Sequence, residues 1–134
     1  MSVQWMFAGL PSFALVACVM VAEMPTPDEG AMLFADNCTS CHDYRGTGGA
    51  ALIGGQQPPD LTRIAARNDG VFPRTDVLSI IDGYAKGTHT ARVMPEFGAL
   101  LRGPTVPVEI EGELSPTPRP LAALLSFLET VQVD

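Results

Sequence analysis

Residues 38–42 of this chain read Cys-Thr-Ser-Cys-His. Two thiols two residues apart, with an imidazole directly behind the second, oblige the fold to gather three reactive groups at one point and leave space beside them. A structural zinc site needs four ligands. Cys38, Cys41 and His42 supply three, no second Cys pair exists, and His89 is the only other histidine. A thioredoxin-like redox pair belongs among alternating strands and helices, and the pattern around these residues shows no such alternation. A third chemistry uses every group at once. Each thiol adds to a vinyl group of haem to give a thioether, and the adjacent imidazole reaches the iron. The residues favour this reading: one covalent haem through Cys38 and Cys41, with His42 as the proximal ligand.

The flanks fit a small domain of short helices. Thirteen glycines and twelve prolines in 134 residues point to many loops. A chain of this size has a modest apolar core, which a buried cofactor would supplement. Thr26-Pro27-Asp28-Glu29 opens a helix: Thr26 caps, Pro27 suits the first helical position and Glu29 completes a capping box. The helix should pass through Leu33 and Phe34 and stop near Cys38, delivering the cysteines at its end. Residues 61–68 read as a short helix closed by the Asn68-Asp69-Gly70 turn. Residues 75–82 read as another, with Thr75 as cap and Gly83 as stop. Pro118 and Pro120 start a last helix whose Leu121, Leu124, Leu125 and Leu128 share a face. Between them, residues 103–117 form a long link. Its alternation around Glu111-Gly112 predicts a small hairpin or an irregular loop, with three glutamates as an acidic patch or simply a solvated surface.

The sixth iron position decides the chemistry. An open face binds small ligands, whereas a second strong ligand makes an electron-transfer centre. Met94, far downstream and followed by Pro95, is the preferred candidate; its thioether favours reduced iron and raises the potential. As a bland alternative, Met94 fills a gap in the core. His89 is the rival ligand and would give a lower-potential bis-His haem. Met24 and Met32 lie too close ahead of the attachment residues.

Together these residues resemble a class I c-type cytochrome over roughly 26–132. The resemblance is carried by Gly30-Ala31-Met32-Leu33-Phe34 before the attachment motif and by Pro58-Pro59-Asp60-Leu61-Thr62 after it. Ile81-Asp82-Gly83-Tyr84, Met94-Pro95-Glu96-Phe97 and the final helix complete it. It implies a mostly α cytochrome c fold, packed around one covalent haem with His42 and Met94 on the iron. It also implies that a proline carbonyl, from Pro58 or Pro59, bonds and orients His42. The first and last helices should cross, with Gly30 and Phe34 meeting Phe127. The 103–117 link is longer than the family pattern.

Residues 1–22 differ from the domain at 23–134. No residue from Val3 to Ala22 is charged. Leu15-Val16-Ala17-Cys18 resembles a bacterial lipobox, in which Cys18 would carry lipid. The run is also about long enough for a membrane anchor, and a plain secretory signal is a third reading, although no Lys or Arg precedes it. These readings place the domain on the periplasmic side of a bacterial envelope, held to the membrane in the first two. A net charge of −7 excludes nucleic acid as a natural partner and suits solubility or steering toward basic surfaces. No catalytic acid, base or nucleophile is evident. The expected function is therefore a one-electron carrier rather than an enzyme, serving a quinol-oxidising complex, a dehydrogenase or a terminal oxidase. The alternatives are a haem subunit fixed in a larger complex and a ligand-binding sensor.

Overall fold

The structure, a computed structural model, describes residues 23–49, 51–84 and 93–133. Helix α1 spans Pro27–Asn37 and α2 spans Thr39–His42. Two 3₁₀ turns follow, Leu61–Arg63 and Ala66–Asn68. Helix α3 is Arg74–Asp82, strands β1 and β2 are Thr105–Ile110 and Glu113–Pro118, and α4 is Arg119–Thr130. The fold is mostly helical and compatible with the cytochrome c fold the sequence implies.

The start of α1 is decided locally. The Glu29 N–H donates to Thr26 Oγ1 and the Thr26 N–H donates to Glu29 Oε1, each at 3.3 Å. Two otherwise unpartnered helix donors are thereby satisfied. The same Glu29 carboxylate accepts from Arg119 Nη2 at 2.8 Å, which ties the beginning of α1 to the beginning of α4. Further along, α1 and α4 cross at Gly30 and Ala123, and the Phe34 and Phe127 rings meet at 5.2 Å. Leu121, Leu124, Leu125 and Leu128 are all buried, each stabilising the fold by on the order of 2 kcal/mol.

Helix α3 begins one residue earlier than its sequence suggests. Pro73, not Thr75, occupies the cap, and its carbonyl accepts from Val77 N–H. The Thr75 hydroxyl is used elsewhere, donating to Glu111 Oε1 at 2.9 Å. Gly83 ends the helix in the left-handed region at φ 93°, as a C-terminal stop should.

The segment 61–68 is not one helix. A continuous helix would bond Ala65 N–H to the Leu61 carbonyl. Instead the side-chain amide of Gln132, from beyond the end of α4, is inserted between them. Its Oε1 accepts from Ala65 N–H at 2.9 Å and its Nε2 donates to Leu61 O at 2.8 Å. The chain on either side tightens into 3₁₀ turns.

The expected long link is an ordered antiparallel ribbon. Glu111 and Gly112 both take positive φ, 54° and 85°, as a two-residue hairpin turn requires. Val106 and Val108 point into the core, only 3% and 5% exposed. Pairing runs from Ile110↔Glu113 to Thr105↔Pro118, with Pro107 opposite Pro116. Bonded and non-bonded pairs alternate. Pro107, Pro116 and Pro118 therefore fall where a backbone N–H would point outward. The ribbon lacks edge donors at these three positions, which blunts it as a template for another strand. Arg74 fastens it to the helices: Nη1 donates to Glu109 O at 2.8 Å while Nε pairs with Glu129 at 2.6 Å.

Candidate haem site

Helix α1 hands the chain to the attachment residues almost without interruption. Cys38 N–H donates to Phe34 O, and His42 N–H donates to Cys38 O, both at 2.9 Å. One short helical turn thus holds both thiols and the imidazole. It ends at Asp43, which adopts φ 56°. The Asp43 carboxylate gathers the next turn, accepting from Arg45 N–H at 2.7 Å and Thr47 Oγ1 at 2.6 Å. These bonds hold its carboxyl below the usual range, the Thr47 hydroxyl contributing most. The chain then folds back closely over the motif: a Cβ on Gly49 would strike the Cys41 carbonyl, and one on Gly48 the Pro58 carbonyl.

Pro59 is the proline that faces His42, its carbonyl oxygen 3.3 Å from Nδ1. A carbonyl only accepts, so Nδ1 carries the proton and Nε2 keeps the lone pair that a metal needs. His42 is 7% exposed. Burial lowers its pKa, opposed by the Pro59 bond and the nearby Asp43 charge, so the neutral ring is favoured. Cys38 and Cys41 are half-buried and are not joined to each other as a disulfide. Before attachment, burial and then the neighbouring Cys41 push the Cys38 thiol up to about 11.

The three groups open onto a cavity of about 760 Å³, within the range of sites that enclose a cofactor. Its walls come from both ends of the chain. Phe34, Cys38, Cys41 and His42 form one side, Leu61 and Ile64 follow Pro59, and Val77, Ile80 and Ile81 come from α3. Leu101, Leu124 and Leu128 close the rear. Met94 lines the same space, half-buried against the core. Its loop is stapled to the end of α3: Phe97 N–H donates to Ile81 O at 2.9 Å and Gly98 N–H to Asp82 O at 3.1 Å. These carbonyls belong to the helix's unpartnered last turn. A side chain on Gly98 would collide with Asp82, so the approach needs glycine there.

The cavity fits a large, mostly apolar cofactor with two attachment thiols and an imidazole at one wall. Among the described residues no three His, Cys, Asp or Glu side chains gather as a metal cluster. His89 and Cys18 lie outside the described residues. Several wall residues carried no sequence signal of a site, notably Gln56, Gln57, Arg67 and Asp76. Ile80 and Ile81 were legible only as the buried face of a helix.

A family model described as Cytochrome c matches residues 27–132. Neither the curated proteins nor the solved structures returned a match. The matched span runs from the first residue of α1, through the attachment turn and the Met94 loop, to Gln132. This chain therefore belongs to the cytochrome c family, which binds covalent haem c through a Cys-x-x-Cys-His motif spaced as Cys38, Cys41 and His42 are here and serves haem-based electron transfer.

Proposed function

We propose that the protein is a one-electron carrier of a respiratory or related chain, with its haem iron held between His42 and Met94. The observation that carries this reading is that Met94 and His42, 52 positions apart in the sequence, line one cavity beside both attachment thiols. The bound haem supplies an iron that cycles between two oxidation states. The chain's own residues do the rest. Pro59 holds the His42 ring in the tautomer that can ligate. The loop staple at Ile81 and Asp82 holds Met94. Apolar walls exclude water, and Arg67, the one Lys or Arg among the described lining residues, offers a counter-charge to propionates. Its partners are redox proteins: a quinol-oxidising complex, a dehydrogenase or a terminal oxidase. The domain works on the periplasmic side of the envelope, held there by lipid on Cys18 or by an uncleaved 1–22 anchor.

The visible spectrum of the ferric protein tests the ligand pair. A weak band near the red edge, lost in Met94→Ala together with a fall in reduction potential, is the expected result. An unchanged spectrum in that variant would remove Met94 from the iron and leave His89 as the ligand to examine. Mass spectrometry of the mature N-terminus reads the tether directly: cleavage before Cys18 with added acyl mass is expected, and an unmodified internal Cys18 would leave only the anchor.

A further inference from the structure

The Gln132 side chain bonds both α4 and the segment following Pro59. Its Nε2 donates to Leu128 O at 2.7 Å as well as to Leu61 O at 2.8 Å, while Oε1 accepts from Ala65 N–H at 2.9 Å. The adjacent Val133 N–H donates to Thr62 O at 2.8 Å. On its other side the segment is held by Leu61 N–H donating to Gly46 O at 2.6 Å. The strap 59–65 is thus clamped between the attachment loop and the chain's far end. Two of its side chains, Leu61 and Ile64, line the cavity, and Leu128 lines it from α4.

The strap also presents the Pro59 carbonyl to His42. That contact, at 3.3 Å, is just beyond the usual N–H···O range. A few tenths of an ångström of drift at Leu61, two residues on, suffices to break it. Asp60 alone separates the two, and its carboxylate accepts from Thr62 N–H at 2.9 Å and Thr62 Oγ1 at 2.6 Å, so this short turn moves as a unit and displacement of Leu61 is passed on to the Pro59 carbonyl.

We infer that Gln132 is a positioning residue for the haem: its amide, inserted between Leu61 and Ala65, fixes the strap so that Pro59 keeps its bond to the proximal His42 and thereby sets the reduction potential. The inference rests on His42 being the iron ligand. A hydrogen bond at Nδ1 makes the ring a more basic donor, and a more basic axial ligand favours oxidised iron. Loosening the strap weakens that donation and moves the potential upward.

The test uses the holoprotein with its haem attached. Gln132→Met keeps length and bulk while removing all three bonds. Gln132→Glu keeps the acceptor for Ala65 and loses the donor to Leu61 and Leu128. Arg74→Gln serves as control, because it cuts a tie between α3, α4 and the ribbon without touching the strap. The readouts are the reduction potential and the exchange rate of the His42 Nδ1 proton in NMR spectra. A positive shift and faster exchange in Gln132→Met, a smaller change in Gln132→Glu and none in Arg74→Gln are expected. Unchanged potential and exchange in Gln132→Met would overturn the inference, as would an equal shift in Arg74→Gln, which would mark general loosening. If Gln132→Met fails to fold, Gln132→Glu alone decides. Loss of the native low-spin spectrum in His42→Ala, with haem still attached, establishes His42 as ligand separately; without it the ligand reading fails, not the strap.

Discussion

Gly30 on α1 and Ala123 on α4 meet with no room for a methyl group between them: a Cβ on Gly30 would clash with the Ala123 carbonyl and with Phe127 Cβ. Alanine is the better helix former by about 1 kcal/mol, so an exposed site would gain from Gly30→Ala. Here the nearest obstructing atoms are the buried Ala123 backbone, and overpacking costs about 1–3 kcal/mol or more. Net destabilisation of roughly 2 kcal/mol is expected, read as a lower denaturant midpoint of the holoprotein. An unchanged midpoint would mean that the helices separate freely.

The pair Glu29–Arg119 makes this junction acid-sensitive. The Arg119 hydrogen bond, then the Thr26 N–H, holds the Glu29 carboxyl below its ordinary value of 4.5. A lowered folded-state value means that the unfolded chain takes up the proton first as pH falls. The stabilisation is therefore complete above pH 4.5 and disappears as pH drops through the folded value. Wild type should exceed Glu29→Gln in stability near neutrality, and the gap should close in acid. Chemical denaturation at several pH values measures it; a gap that widens in acid would contradict the assignment.

Removing the cofactor should leave a protein with a hole at its centre. The cavity borders Phe34, Leu101, Leu124 and Leu128, all core residues. With both attachment thiols replaced, as in Cys38→Ala with Cys41→Ala, haem should become extractable by acidified solvent. The cooperative thermal transition should then fall sharply or vanish. Retention of the native transition in the haem-free chain would show that the helices close over the gap unaided.

The ribbon's edges yield a prediction about association. Pro116→Thr restores an outward N–H on β2, where β-structure is otherwise kept from pairing. Light scattering should show concentration-dependent self-association of this variant at concentrations where the parent stays monodisperse. A variant that behaves like the parent would assign protection to the neighbouring charges instead.

Features written in short stretches of sequence were legible. The Thr26/Glu29 box, the Gly83 stop, the leucine face of α4 and the Glu111-Gly112 turn each follow from residues within a few positions of one another. Residues 61–68 were not, because their helical period is interrupted by an amide 67 positions from Ala65. The choice between Pro58 and Pro59 was equally beyond local reading, since it depends on how tightly Gly48 and Gly49 let the loop close over Cys41. The acidic link was half legible: its alternation left a small hairpin and an irregular loop both open, and only packing on α4 shows that Val106 and Val108 are core.

The cavity's walls come from opposite ends of the chain, and this has a consequence for the order of assembly. The thiols directly follow a helix whose start is capped by its own neighbours, and backbone bonds from Cys38 and His42 continue its turn, so they are presented early and by local contacts. The rear wall arrives only when α4 docks, closing a loop of about ninety residues, which is the slow, non-local part of folding. Until then the attachment turn lies open along one side. The thioether bonds can therefore be made on an accessible half-site, and α4 then closes over a cofactor already in place.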